Sequence, residues 1–354
     1  MLDLGADVGA LTAALVDVES VSGDEQHLAD VIEGTLGRYA TLAVERDGNV
    51  VMARTDLWRS QRIVLAGHLD TVPVKDNIPA RVEGGLLFGC GAADMKSGLA
   101  VMLRLAHLVA TDALAPRVDL TWIFYDCEEI DAKRNGLGRV ARDRPETLQA
   151  DLAVLLEPTG GVIEGGCQGT VRAVVRVGGV RAHSARSWLG VNAIHAAAPV
   201  LDRLAAYDAR TVDVAGLAYH EGMNAVGITG GVAGNVIPDD CRITVNYRFA
   251  PDRTETEAHA HLREVFDGFD VDIVDSAPAA SPGLDLPLPQ AIAAAVGGEP
   301  RAKLGWTDVA RFSQLGIPAV NYGPGDPNVA HQVDEYVELA LIIDAEAALI
   351  RFLT

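Results

Sequence analysis

Two histidines and a scattered set of carboxylates carry the chemical content of this sequence. His68 stands in Gly67-His68-Leu69-Asp70-Thr71-Val72-Pro73, directly after the apolar run 62–66. An imidazole offers one ring nitrogen to a metal while an acceptor holds the other, and Asp70 is placed to be that acceptor. Asp94 lies between glycines in Gly89-Cys90-Gly91-Ala92-Ala93-Asp94-Met95-Lys96-Ser97-Gly98. Glycine permits backbone conformations that hold a carboxylate rigidly enough to bridge two cations, although an Asp before a helical pattern is equally a helix cap. Glu128 and Glu129 end the apolar run 120–125. Adjacent carboxylates there repel unless a cation compensates, while a solvated acidic loop has the same composition. Glu157 closes the run 152–156, and His331 ends the glycine- and proline-rich stretch 323–331.

These groups can meet only if the elements before them share a sheet. The runs 49–53, 62–66, 120–125 and 152–156 are short and partly β-branched or aromatic, which predicts buried strands. Helical spacing appears at Leu11, Leu15 and Val18, at Leu28, Ile32 and Leu36, and over 96–109. Alternating strands and helices predict an α/β layered domain with a mostly parallel sheet, whose strand ends would bring His68, Glu128, Glu129 and Glu157 to one edge. Two histidines with several carboxylates and no paired cysteine form the ligand set of a hydrolytic dinuclear zinc site.

The texture changes near Thr170. Residues 171–177 and 242–249 alternate, helical patterns cover 192–206 and 255–266, and a strand follows at 271–274. The order β-α-β-β-α-β predicts a ferredoxin-like α+β insertion. Residues 276–288 are rich in Pro, Ala and Ser and predict a linker, after which a strand at 319–322 and a helix at 337–352 resume the first pattern. The expected organisation is a catalytic domain of residues 1–170 and 279–354 with an inserted domain of residues 171–278.

Composition narrows the function classes. With 354 residues, two cores are expected. A 49% hydrophobic and 22% charged chain is a soluble globular one. A formal net charge of -20 repels phosphate backbones and excludes nucleic acid as an expected partner. No apolar run is long enough for a membrane span, and the start lacks a basic signal-peptide region, so a cytoplasmic location is expected. Cys90, Cys127, Cys167 and Cys241 form no C-x-x-C pair and read as buried small hydrophobes. No G-x-G-x-x-G follows the first strand, which argues against a nicotinamide-binding enzyme.

The segments LAGHLDTVPV, GCGAADMKSG, FYDCEEID, EPT, GCQGT, RAHSARSW, GNVIPD, NYRFAPDR, GWTDVARF and NYGPGDPNVAH, in that order, resemble the zinc-dependent aminoacylase and carboxypeptidase-like metallopeptidases nearly end to end. The strings sit nearest the family's actinobacterial members that remove succinyl groups. The resemblance implies two zinc ions per subunit, replaceable by cobalt or manganese. His68 and Glu157 would hold one ion, Glu129 and His331 the other, and Asp94 would bridge them. Glu128 would be the general base and Asp70 would orient His68. His183 of the inserted lid domain would reach the active site of a homodimer partner. Arg248, Asn235 and Thr307 would grip the carboxylates of a small dicarboxylate amide, N-succinyl-LL-2,6-diaminopimelate. Some members carry arginines where this sequence has Cys167-Gln168, and Arg181 or Arg186 are the candidate replacements. The alternatives are an N-acyl amino acid deacylase or dipeptidase of the same family, or a non-catalytic binding relative.

Overall fold

The computed structural model describes all 354 residues, which divide into two compact units. The first comprises Met1–Gly166, Pro282–Arg301 and Thr307–Thr354; the second comprises Cys167–Ser281 and Ala302–Trp306.

The first unit is built on an eight-stranded mixed sheet. From one edge its strands are Ala43–Asp47, Val50–Arg54, Asp119–Tyr125, Arg62–His68, Leu152–Leu155, Ala319–Asn321 and Glu164–Gly165, with one further two-residue strand beyond. The four from Asp119–Tyr125 to Ala319–Asn321 are parallel neighbours. Strands buried on both faces read as continuous apolar runs, and all seven residues of Asp119–Tyr125 are buried. Helices Val8–Val16, Ser97–Ala110 and Leu339–Leu353 bury Leu11, Leu15, Leu99, Met102, Leu105 and Leu349 in the same core as Trp122 and Phe124. Each such side chain contributes about 1.5–3 kcal/mol on burial. The register pairs His68 with Tyr125, Ala66 with Leu155, and Asn321 with Leu155, so these strands end on one side within a few residues of each other. A small antiparallel sheet of Arg81–Glu83, Leu86–Phe88 and Tyr336–Glu338 lies in the same unit.

The second unit holds a four-stranded antiparallel sheet in the order Gly222–Gly230, Asp240–Phe249, Gly169–Gly178, Asp270–Ala277. That is the ferredoxin-like arrangement. One face carries Val171, Ala173, Val175, Ile243, Val245 and Tyr247 into a core with Ala258, Leu262 and Phe266. Helix Glu255–Val265 starts in a capping box between Thr254 and Glu257, which satisfies donors the helix leaves open.

Two local expectations change, and one strand is added. The helical pattern 192–206 is two helices, Ala193–Ala196 and Ala198–Ala205, because Pro199 has no N–H to continue the first. The linker at 276–288 is shorter at both ends, since the strand runs to Ala277 and a helix begins at Pro287. The edge strand Gly222–Gly230 had no visible alternation, with glycine at 222, 227 and 230 and exposed apolar residues between them. No helix is long and apolar enough to cross a membrane.

Candidate active site and metal centre

The parallel strands deliver most of the expected residues. His68 is the last residue of its strand. Glu128 and Glu129 follow Tyr125 after a turn at Cys127, whose φ of 58° lies in the left-handed region. Glu157 lies two residues beyond Leu155. His331 ends the loop after Ala319–Asn321 and also takes a positive φ, 65°. Left-handed backbone at a non-glycine residue costs about 1–3 kcal/mol and persists where surrounding structure over-determines it.

Asp94 comes from the turn before helix Ser97–Ala110. Its Oδ1 lies 3.0 Å from His68 Nε2 and its Oδ2 lies 3.5 Å from His331 Nε2. One carboxylate thus turns a separate oxygen to each histidine. Glu129 Oε1 is 2.7 Å from the same His331 nitrogen. Ligand atoms of His68, Asp94 and Glu157 lie within 4.8 Å of one another, as do those of Asp94, Glu129 and His331, and those of His68, Glu128 and Glu129. The loop carrying His331 packs directly on the Asp94 turn: a Cβ at Gly325 would meet the Ala93 carbonyl oxygen at 2.2 Å, a contact only glycine tolerates.

One expected role needs correction. His68 Nδ1 donates to the Asp70 backbone carbonyl at 2.9 Å, while the Asp70 carboxylate stands 3.6 Å away. That carboxylate instead accepts the N–H groups of Glu128 at 2.9 Å and Glu129 at 3.0 Å, and the Ser22 hydroxyl at 2.8 Å. The His68 tautomer is set by the carbonyl, which leaves Nε2 for a ligand, and Asp70 fixes the backbone of the glutamate pair. Glu25 braces the same turn, its Oε1 accepting from Gly23 at 2.6 Å and from the Cys127 N–H at 3.2 Å. Neither Glu25 nor Ser22 stands out in the sequence, because the Cys127 N–H and the Asp70 carboxylate that they hold lie 102 and 48 residues along the chain.

The electrostatics fit a cation site. Burial pushes the Glu128 carboxyl well above the ordinary carboxylate range, and the charge of Glu157 adds to the push. Hydrogen bonds to Asp94 and Glu129 lift His331 to about 10. For His68 burial works the other way, but the hydrogen bond to Asp94 and the charges of Asp94, Glu157 and Asp70 outweigh it and raise the imidazole well above its usual value. The ionic partners of Asp94 and Glu129 are histidines. Imidazole nitrogens and carboxylate oxygens turned toward common points, with burial that disfavours uncompensated charge, are what a divalent metal would satisfy.

The remaining candidates fall as follows. Thr307 is buried in the first unit, where its hydroxyl donates to Asn321 Oδ1 at 2.8 Å and ties its turn to the sheet. The second unit brings His183 and Asn235 together. Strand Ala182–His183 pairs with Val236–Ile237, and the Ser184 N–H donates to the Asn235 carbonyl at 2.9 Å. His183 Nδ1 accepts the Ala185 N–H at 3.0 Å, so in the neutral ring Nε2 carries the proton. Arg248 is half-buried, with Asn246 Oδ1 at 3.2 Å as its hydrogen-bond partner and no carboxylate beside it. Of the two arginines considered against the Cys167-Gln168 departure, Arg181 is occupied by Asp239 at 2.8 Å. The Gln168 amide donates to the His220 carbonyl.

Residues 64–354 match the model of peptidase family M20/M25/M40. The chain belongs to this family. Membership makes it a hydrolase of amide bonds in a metal-dependent family, with the clustered histidines and carboxylates as the groups able to hold metal. A Mycobacterium tuberculosis protein, provisionally named as a succinyl-diaminopimelate desuccinylase, is 57% identical over 356 residues, covering 100% of this chain and 99% of the relative. The succinyl-diaminopimelate desuccinylase of Corynebacterium glutamicum is 49% identical over 363 residues, covering 100% and 98%. Among solved M20-type folds, a tripeptidase from Staphylococcus aureus superposes with a TM-score of 0.80 at 19% identity, over 100% of this chain and 98% of that one.

Proposed function

We propose that this chain hydrolyses the amide of N-succinyl-LL-2,6-diaminopimelate, releasing succinate and LL-2,6-diaminopimelate, a step of lysine and diaminopimelate biosynthesis. The observation that carries the substrate is the full-length identity of 49% to a relative named for that reaction. The half-buried Arg248 without a carboxylate partner adds to it, since a guanidinium suits two-pronged carboxylate binding.

His68 and Glu157 would hold one zinc ion, Glu129 and His331 a second, with Asp94 between them. When bound, such ions lower the pKa of water and polarise a carbonyl. Glu128, beside His68 and Glu129, has the raised proton affinity of a group that takes a proton from the attacking water and hands it to the leaving amine. His183 Nε2–H is a hydrogen-bond donor suited to an oxyanion. It would act on the partner's site in a homodimer formed through the second unit. In support, the edge strand Gly222–Gly230 exposes Val226 and Ile228 by 61% and 52%, and a long apolar sheet edge invites pairing with another chain.

Metal titration tests the ligand assignment. In the metal-free protein the neighbouring carboxylates favour the protonated forms of His331 and His68, and an imidazolium must give up a proton to bind metal. The sign follows: zinc uptake releases protons, and affinity falls as pH falls, by up to about tenfold per pH unit for each proton released. Calorimetry of chelator-stripped protein at about pH 6 and about pH 8, in buffers of different ionisation enthalpy, should find two equivalents of zinc and net proton release. Uptake of zinc without proton release would remove the histidines from the ligand set.

A further inference from the structure

The turn that presents Asp94 is held by a side chain from near the other end of the chain. Glu335 Oε1 accepts the N–H groups of Ala93 at 2.8 Å and Asp94 at 3.0 Å, and Oε2 accepts the Gly91 N–H at 3.1 Å. Its backbone carbonyl accepts the Gly89 N–H at 3.0 Å. Glu335 is 1% exposed. It sits where strands Leu86–Phe88 and Tyr336–Glu338 pair, four residues after His331. A single carboxylate thus takes three of the four N–H donors of the 91–94 turn, the Ala92 N–H going to the Gly89 carbonyl, while the Glu335 main chain closes the pairing that starts the turn. No other side chain bonds those three N–H groups.

We propose that Glu335 is a positioning residue that sets metal affinity by fixing the 91–94 backbone, so that Asp94 turns one oxygen to His68 and the other to His331. This rests on the metal-site reading above. The geometry gives the reason for a carboxylate at this position. Both oxygens are used, so an amide keeps one acceptor and turns an N–H₂ group toward a backbone donor. Without the carboxylate, three buried N–H groups lose their partner and the turn rearranges to find others, taking the Asp94 oxygens off the line between the two histidines. Side chains that orient metal ligands typically change metal affinity by about 10–100-fold when removed.

The test is zinc affinity, read by competition with a chromogenic chelator on the full-length folded protein, for Glu335→Gln and Glu335→Ala. Leu349→Ala serves as a control that weakens the core of the same unit without touching the turn. The expected result is a zinc dissociation constant raised about 10–100-fold in Glu335→Gln, at least as much in Glu335→Ala, and unchanged in Leu349→Ala. If Glu335→Ala does not fold, the near-isosteric Glu335→Gln carries the test alone. Zinc affinity within about twofold of the parent in a folded Glu335→Gln would overturn the proposal. So would an equal loss in Leu349→Ala, which would make the effect one of stability. The readout contains no substrate, so a failure of the desuccinylase reading leaves this result standing, and the reverse also holds.

Discussion

Replacing Glu128 with glutamine is expected to lower kcat by about 10²–10⁴-fold, the range for removing a general acid–base group, while two zinc ions remain bound. The two adjacent glutamates look alike in sequence but differ in their surroundings. Glu129 Oε1 is 2.7 Å from His331, as a group sharing a cation with that histidine should be. Glu128 clusters with His68 and Glu129, and its own carboxyl is pushed toward holding a proton, first by burial and then by the charge of Glu157. The amide keeps the shape and loses the basic oxygen. Glu129→Gln should instead lose metal, because it removes a ligand charge. Measuring zinc content and kcat on the same preparations separates the two. A Glu128→Gln protein with near-parent turnover would remove it from the base role.

The second large effect concerns the proposed second copy of the chain. His183→Ala is expected to cut kcat by about 10²–10³-fold, as loss of an oxyanion donor does, with zinc binding intact. If His183 acts across a dimer, mixing inactive His183→Ala with inactive Glu128→Gln subunits should restore about a quarter of the parent activity. Half the dimers would be mixed, and each would have one complete site by two-fold symmetry. Ile228→Glu, placing a charge on the exposed edge strand, should be monomeric in sedimentation and as slow as His183→Ala. A monomer with parent activity would sink the cross-subunit role.

Much of this was legible in the sequence for a physical reason. Buried parallel strands are uniform apolar runs, so 62–66, 120–125 and 152–156 announced themselves, and their ends located His68, Glu128, Glu129 and Glu157 without any alignment. The Gly222–Gly230 edge was not legible, because glycines remove the alternation that marks a strand. The supporting carboxylates were not legible either. Asp70 was expected to hold His68 two residues away, yet its carboxylate reaches 58 and 59 residues along the chain to the N–H groups of Glu128 and Glu129. Glu335 reaches back 241 residues to Asp94. Backbone N–H groups carry no residue-type signal, so a side chain that serves them cannot be paired with its target from spacing alone. Arg181 is a candidate for carboxylate binding until the side chain of Asp239, 58 residues along the chain, is seen beside it.

The most direct test of the central claim is a substrate comparison on zinc-loaded protein whose metal content is measured in the same sample. N-succinyl-LL-2,6-diaminopimelate, N-acetylornithine and simple dipeptides would be assayed side by side for kcat/KM. The predicted result is about two zinc ions per subunit and a preference for the succinyl substrate of about 10²-fold or more, the discrimination expected when a half-buried cationic group such as Arg248 is left unpaired by the others. A dipeptide or N-acetyl amino acid hydrolysed as fast or faster, by protein of the same metal content, would contradict it.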